Sequence, residues 1–326
     1  MITNNNLNHE PLIEYLKTVP YDISRDSLYT AAELYEGFDP GQPEPARDYF
    51  DKRVYRHFMA LGKLPTDVKE AVARTLHDQG IRIALADFIK ARNYLQLVGV
   101  MGGHALLRTD AMYRQVVFLS KRLTELGFCM LSGGGPGAME ATHLGAWMAG
   151  RGNDEVEEAL RIIALAPSFS HEGWVATAFE VRRKFPQTNY ESIGIPTWLY
   201  GHEPPTPFAT HIAKFFDNSI REDSVLMMPF GGVIYTPGSA GTMQEIFQNA
   251  VKNHYLSFGF SSPMIFLGAK FWKEEMPVYP LMQRLMATGK YKNLNIVLTD
   301  DLEVVVQQLL DFQDQVKAHP EAFRLK

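Results

Sequence analysis

Two glycine-rich turns hold the residues of this chain whose types and spacing could do chemistry. The first, Ser132-Gly133-Gly134-Gly135-Pro136-Gly137-Ala138-Met139, stands directly after the apolar run Phe128 to Leu131 and directly before the helical stretch Glu140 to Gly150. Its glycines let the backbone approach a ligand closely, and the helix start beyond offers unpaired N–H groups and a partial positive charge to an anion. A phosphate is the natural guest. The second, Pro237-Gly238-Ser239-Ala240-Gly241-Thr242-Met243-Gln244-Glu245, follows the run Gly232 to Tyr235 and opens the helical stretch Ile246 to Tyr255. Gly238 and Gly241 free the backbone, Thr242 adds a hydroxyl donor, and Glu245 is expected in the first helical turn, facing whatever the loop holds. The plain alternatives are tight packing for the first turn and helix capping for Glu245.

The first turn also satisfies G-x-G-x-x-A as Gly133, Gly135 and Ala138, which suggests a dinucleotide. That fingerprint needs an acidic residue at the end of the next strand to hold the ribose, and the next apolar run, Ile162 to Ala166, leads into Pro167-Ser168 with no carboxylate. NAD and FAD are therefore disfavoured. Other chemistries lack their patterns: there is no GxxxxGK[ST] loop, no G-x-S-x-G elbow, no H-E-x-x-H or paired Cys/His spacing, and no lysine in either turn for a pyridoxal Schiff base. Neither a metal nor a cofactor is expected.

Such turns must be positioned by strands, and from Leu95 the chain supplies them. Short apolar runs, at Leu97 to Met101, Phe128 to Leu131, Ile162 to Ala166, Ile193 to Tyr200, Gly232 to Tyr235, Met264 to Leu267 and Ile296 to Leu298, alternate with longer amphipathic stretches. This pattern predicts βα units, hence an α/β fold with a doubly wound parallel sheet buried on both faces. Ligands bind beyond the carboxyl ends of such strands, where both turns fall. Residues 1–94 carry helix signals only, at Tyr29 to Tyr35 and from an Asp67-x-x-Glu70 capping box to about Arg92, with a loop at Gly37 to Glu44. The expected division is a helical extension over 1–94 and a nucleotide-binding unit over 95–326. Leu12, Ile13, Leu16, Leu28, Leu34, Tyr35, Tyr49, Phe50, Tyr55 and Phe58 are more apolar side chains than short helices bury among themselves, so the extension must pack on the rest of the chain or on a second copy.

Composition narrows the partners. The chain has 326 residues, with 32 basic against 37 acidic side chains and a net charge of −5, and so gives no electrostatic footprint for nucleic acid or an anionic membrane. Any phosphate must be held locally. The single cysteine, Cys129, cannot form an internal disulfide and sits in an apolar run, which points to a reducing compartment. With no signal-peptide pattern at the start and no run approaching the ~18 apolar residues of a membrane span, the sequence reads as cytoplasmic.

The two turns together, in this order and about a hundred residues apart, resemble the LOG family of cytokinin riboside 5′-monophosphate phosphoribohydrolases. The family's P-G-G-x-G-T-x-x-E is similar to Pro237 to Glu245, with Ser239 in place of the second glycine. Its G-G-G-x-G-x-M matches Gly133, Gly134, Gly135, Gly137 and Met139. Gly102-Gly103-His104 after the first strand, with Arg108 further on, resembles a bacterial branch described as predicted nucleotide-binding proteins. The resemblance covers residues 95 to 312. It implies hydrolysis of the N-glycosidic bond of a nucleoside 5′-monophosphate, giving free base and ribose 5-phosphate, in a homodimer or larger assembly with sites near the subunit interface.

It also implies an arginine on the helix before the P-G-G strand. On the stretch His211 to Glu222, read as that helix, Arg221 is the match, 16 residues before Pro237, although Glu222 stands where the family has lysine. Arg182 and Arg183 are the reserves, and an i,i+4 pair with Asp217 is the plain alternative for Arg221. The assignments that follow are phosphate at Gly238, Ser239, Gly241 and Thr242, assisted by the Gly133 to Gly137 loop with Gly103 and His104. Ribose and the developing cation fall to Glu245, and positioning or leaving-group assistance to Arg221. His104, Met139 or Phe216 are candidates for contacts with the base. The competing reading is a nucleotide-binding or nucleotide-sensing protein without catalysis.

Overall fold

The computed structural model describes residues 9–42, 48–186 and 189–323; the first eight residues and part of the Gly37 to Glu44 loop lie outside them. Seven parallel strands make one sheet in the order β4-β3-β2-β1-β5-β6-β7. They are β1 (Leu97–Met101), β2 (Cys129–Ser132), β3 (Ser192–Gly194), β4 (His211–Ile212), β5 (Gly232–Tyr235), β6 (Pro263–Leu267) and β7 (Asn295–Thr299). The chain builds outward from β1 to β4 on one side and from β5 to β7 on the other, so the winding reverses between β1 and β5. There Val98 pairs with Gly232 and Met101 with Tyr235. A crevice at the carboxyl ends of strands opens at such a reversal.

Alternation along the central strands explains why they are apolar throughout. Leu97 and Met101 of β1, with Val233 and Tyr235 of β5, belong to the core on one face, while Val98, Val100 and Ile234 belong to the core on the other. The second face is covered by α5 (Ala111–Glu125), α6 (Ala138–Trp147), α7 (Asn153–Ile163) and α8 (Trp174–Lys184). The first carries α9 (Asn218–Met227), α10 (Ala240–His254) and α11 (Val278–Ala287), and α12 (Leu302–Ala318) contributes to both.

Two sequence expectations change here. Ile162 to Ala166 is the last turn of α7 and the bend after it, because Val156, Ala159, Leu160 and Ile163 already form a helical face buried in the core. His211–Ile212 is strand β4, so the helix carrying Arg221 begins only at Asn218, with Asp217 as its N-cap.

The N-terminal residues form α1 (His9–Leu16), α2 (Ala31–Leu34), α3 (Phe50–Ala60) and α4 (Val68–Lys90), and they dock on the β4 edge. Tyr29 exchanges both backbone hydrogen bonds with Ile212, at 2.9 and 2.8 Å, and so closes the sheet's open edge. Carboxylates from the helices reach across. Asp51 accepts from Trp198 Nε1 (2.9 Å) and Lys214 Nζ (2.5 Å), and Asp78 accepts from the amides of Phe216 (3.0 Å) and Asp217 (2.8 Å). The Asp67 capping box forms only in half: Asp67 caps Lys69 N, but Glu70 turns inward to Tyr15, His57 and Arg74.

Candidate functional site

β2 ends at Ser132 and α6 begins at Ala138, so the first glycine turn spans the carboxyl end of the sheet. Gly134 and Gly137 have φ of +72° and +69°, which only glycine adopts without strain. Beneath the turn, Ser132 Oγ accepts the Gly134 N–H (3.1 Å) and pairs with His143 Nε2 (2.8 Å), whose Nδ1 meets Ser192 Oγ (2.9 Å). Burial pushes His143 down to about 3, so this bridge is neutral and fixes the turn by hydrogen bonds alone.

The second turn lies on the same edge, and β1 ties the two together. Gly103 donates its N–H to Pro237 O (3.1 Å), and its own carbonyl accepts from Ala138 N (3.2 Å). A Cβ on Gly137 would collide with Gly103 O, and one on Gly238 with Thr242 Oγ1, so these two positions take glycine where the turns meet. Past them the start of α10 is open. Gly241 has nothing within 4 Å of a would-be Cβ, Ser239 makes no side-chain capping bond, and helix geometry leaves the N–H groups of residues 240–242 without intrahelical acceptors. Such a helix start presents unpaired donors and a partial positive charge.

Arg221 is buried, at 8% exposure, and it points back to the first turn. Its Nε donates to Ile195 O (2.8 Å), its Nη1 to Glu222 Oε1 (2.7 Å), and its Nη2 occupies the space a side chain at Gly133 would need. The alternative pair with Asp217 is not what holds it; Asp217 is spent on capping α9. Glu245 sits in the second turn of α10, one turn later than expected, because the helix starts at Ala240. Burial pushes its carboxyl up to about 8, an effect opposed by the nearby Arg221 and reinforced by Glu222.

Other candidates are sorted by the fold. Met139 lies under the first turn, against Gly133 and Gly135, and His104 stands exposed at the rim. Phe216 is no base contact: it stacks on Trp198 at 4.3 Å inside the packing between the N-terminal helices and the sheet. Arg182 donates to Pro207 O and lies 4.6 Å over the Trp147 ring, and Arg183 is exposed on α8, so neither substitutes for Arg221. Arg108 is a strut, bonded to Glu140 (2.9 and 2.5 Å) and to the carbonyls of Ile163, Ala166 and Trp174.

Sequence reading missed Glu203 and Phe169, which loops bring to the first turn. Glu203 Oε2 lies 3.6 Å from a would-be Cβ on Gly135, its Oε1 lies 3.7 Å from His104 Nδ1, and the His104 and Phe169 rings are 6.1 Å apart. β3 itself is followed by Ile195 and Pro196, again without a carboxylate; Glu203 arrives from further along, which no strand-end pattern marks.

No protein-family model matches the chain, and no curated protein does. Among solved structures, the chain is similar to the X-ray structure of TM1055, a Northeast Structural Genomics Consortium target, at 18% identity and TM-score 0.42 over 66% of this chain and 98% of that one. It is also similar to the molybdenum cofactor binding protein from the phototrophic bacterium Rippkaea orientalis, at 15% identity and TM-score 0.40, covering 66% and 96%. The Chlamydomonas reinhardtii Moco carrier protein follows at 17% identity and TM-score 0.39, covering 66% and 97%. Among the described residues no helix is long and apolar enough to cross a membrane.

Proposed function

We propose that this protein hydrolyses the N-glycosidic bond of a nucleoside 5′-monophosphate, releasing base and ribose 5-phosphate. The observation that carries the reading is that Arg221 reaches the first glycine turn while its charge is felt at Glu245, just beyond the second. The phosphate sits on the open start of α10, held by the amides of residues 240–242 and the hydroxyls of Ser239 and Thr242. Binding there orients the ribose over Glu245, so that remote binding energy serves the reacting centre.

Bond cleavage develops positive charge on the ribose. Burial leaves Glu245 protonated at neutral pH. Once ionised, Glu245 stabilises the developing ribosyl cation and takes a proton from the attacking water, which passes on to the base that departed with the bonding electron pair. Arg221 is permanently charged and acts by position and field, never as an acid.

A second reading, a nucleotide-binding protein without catalysis, draws on the Arg221–Glu222 pair at 2.7 Å, which engages part of the guanidinium before any ligand arrives. Incubation of the purified chain with a panel of nucleoside monophosphates decides between them: ribose 5-phosphate plus free base supports the hydrolase, and tight binding without products supports the binder.

A further inference from the structure

Against the loop that carries Glu203 lies a cavity of about 300 Å³, lined by its neighbours His202 and Pro204, that the proposed reaction leaves unused. Tyr55 of α3 makes one side, and Phe169, Trp174 and Val175 with His202 make the other. The two halves are in direct contact, since a Cβ on Gly201 would lie 2.7 Å from Tyr55 Cε2. The volume is at the lower end for small-molecule sites; Tyr49, Tyr55, Phe169 and Trp174 give it aromatic surfaces for a flat heterocycle, and Asp51, Lys52, His171 and Glu172 make the rest of the lining polar.

Phe169 and the residues on either side of Glu203 link the cavity lining to the glycine turns. Phe169 faces His104, the residue after Gly103, and Gly103 is bonded to Pro237 of the second turn. At this junction Glu203 extends its carboxylate over Gly135, its side chain 17% exposed, with His104 and His202 at 3.7 and 3.8 Å. A carboxylate at that point repels a phosphate and accepts hydrogen bonds from N–H groups. A nucleotide is thereby oriented, with its phosphate on α10 and its base toward the cavity.

We propose that this cavity is the base subsite, with Glu203, at its edge between the lining residues His202 and Pro204, accepting from the ring N–H and amino group of a guanine-type base and the N-terminal helices, through Tyr55, completing the site. The inference rests on the nucleotide reading above and adds a specificity residue to it. Guanine presents N1–H and its 2-amino group side by side, matching the two oxygens of one carboxylate; hypoxanthine presents N1–H alone.

Calorimetry with guanosine 5′-monophosphate, inosine 5′-monophosphate and ribose 5-phosphate tests it. The wild type should bind the guanosine nucleotide about 10-fold more tightly than the inosine nucleotide, the scale of one lost charge-assisted hydrogen bond. Glu203→Gln should remove that preference while ribose 5-phosphate, which has no base, binds as before. Ser170→Trp, at an exposed position on the cavity lining, should weaken both nucleotides and spare ribose 5-phosphate. Equal weakening of all three ligands by Glu203→Gln, or no change in nucleotide binding with either variant, overturns the assignment. A wild type that binds ribose 5-phosphate but gains nothing from a base overturns this inference and leaves the phosphate cradle standing. A wild type that binds none of the three overturns the nucleotide reading and this inference with it.

Discussion

The Arg221 guanidinium fills the space that a side chain at Gly133 would take, so the first glycine turn and the helix before β5 are interlocked. Gly133 is thus a glycine for the sake of a neighbour, since its backbone is not among the positive-φ positions. Gly133→Ala should fold, because a guanidinium can swing aside, but it moves the charge away from the site. A displacement on the order of 1 Å costs about 10²-fold in rate. The expectation is a fall of that size in kcat/KM with an unchanged circular dichroism spectrum; full activity in the alanine variant would dissociate Arg221 from the reaction.

Glu245→Gln keeps size and removes the titrating charge. Hydrolysis should drop at least ~10²-fold while phosphate binding persists, as for loss of one electrostatic stabiliser. If the ionised form is the active one, wild-type kcat/KM rises with pH and levels off above about 8, following the free enzyme's carboxyl. Measured pH profiles from both proteins should therefore differ in shape as well as height, with no such inflection in any residual activity of the Gln variant.

The same carboxyl makes a stability prediction of definite sign. Its pKa is raised on folding from 4.5 to about 8, so between those values the folded chain holds a proton the unfolded chain has released. Stability then falls as pH rises through that window. The melting temperature of Glu245→Gln relative to wild type should climb from about pH 5 to about pH 8 and stay level above it. A constant difference across the range would show Glu245 to titrate normally.

The strands nearest the site were the legible part of the fold. β1, β2, β5 and β6 are buried on both faces, so they read as unbroken apolar runs, and the glycines after β2 and β5 name the turns. What failed was short or borrowed. β4 has two residues, His211–Ile212, too few for any periodicity, and it is completed by Tyr29 from the far end of the chain. Ile162 to Ala166 reads as a strand because α7 closes on consecutive apolar residues. Arg221 is reached only through a motif, while Glu203 comes from the loop between β3 and β4 and Phe169 from the bend between α7 and α8, where no periodic pattern marks them.

Asp51 and Lys214 form a buried ion pair, both under 4% exposed at the side chain, between α3 and the sheet edge. Burial lowers the Lys214 pKa and Asp51 opposes that shift, so removing the acid strands a buried ammonium and frees Trp198 Nε1. Asp51→Ala should cost about 3–5 kcal/mol in urea unfolding. The double replacement Asp51→Leu with Lys214→Met should recover most of it, since no charge is then left unpaired. A double variant as unstable as the single would show that packing, and not charge, dominates there.

The N-terminal helices bury most of their apolar residues on their own chain, yet α4 keeps a stripe that does not. Val68, Leu76 and Ile83 are 60%, 44% and 52% exposed and fall on one side of the helix. Exposed apolar stripes of this kind mark contact with another molecule, and a closed two-fold pair is the default symmetry. We expect a homodimer built across α4, in keeping with the assemblies the LOG resemblance implies. Light scattering should return about twice 36.9 kDa at micromolar concentration. Ile83→Asp, at an exposed position where a charge costs the monomer little, should shift the mass to that of a single chain with its melting profile nearly retained. A wild type that scatters as a monomer while active, or a dimer indifferent to Ile83→Asp, would place the interface elsewhere or remove it.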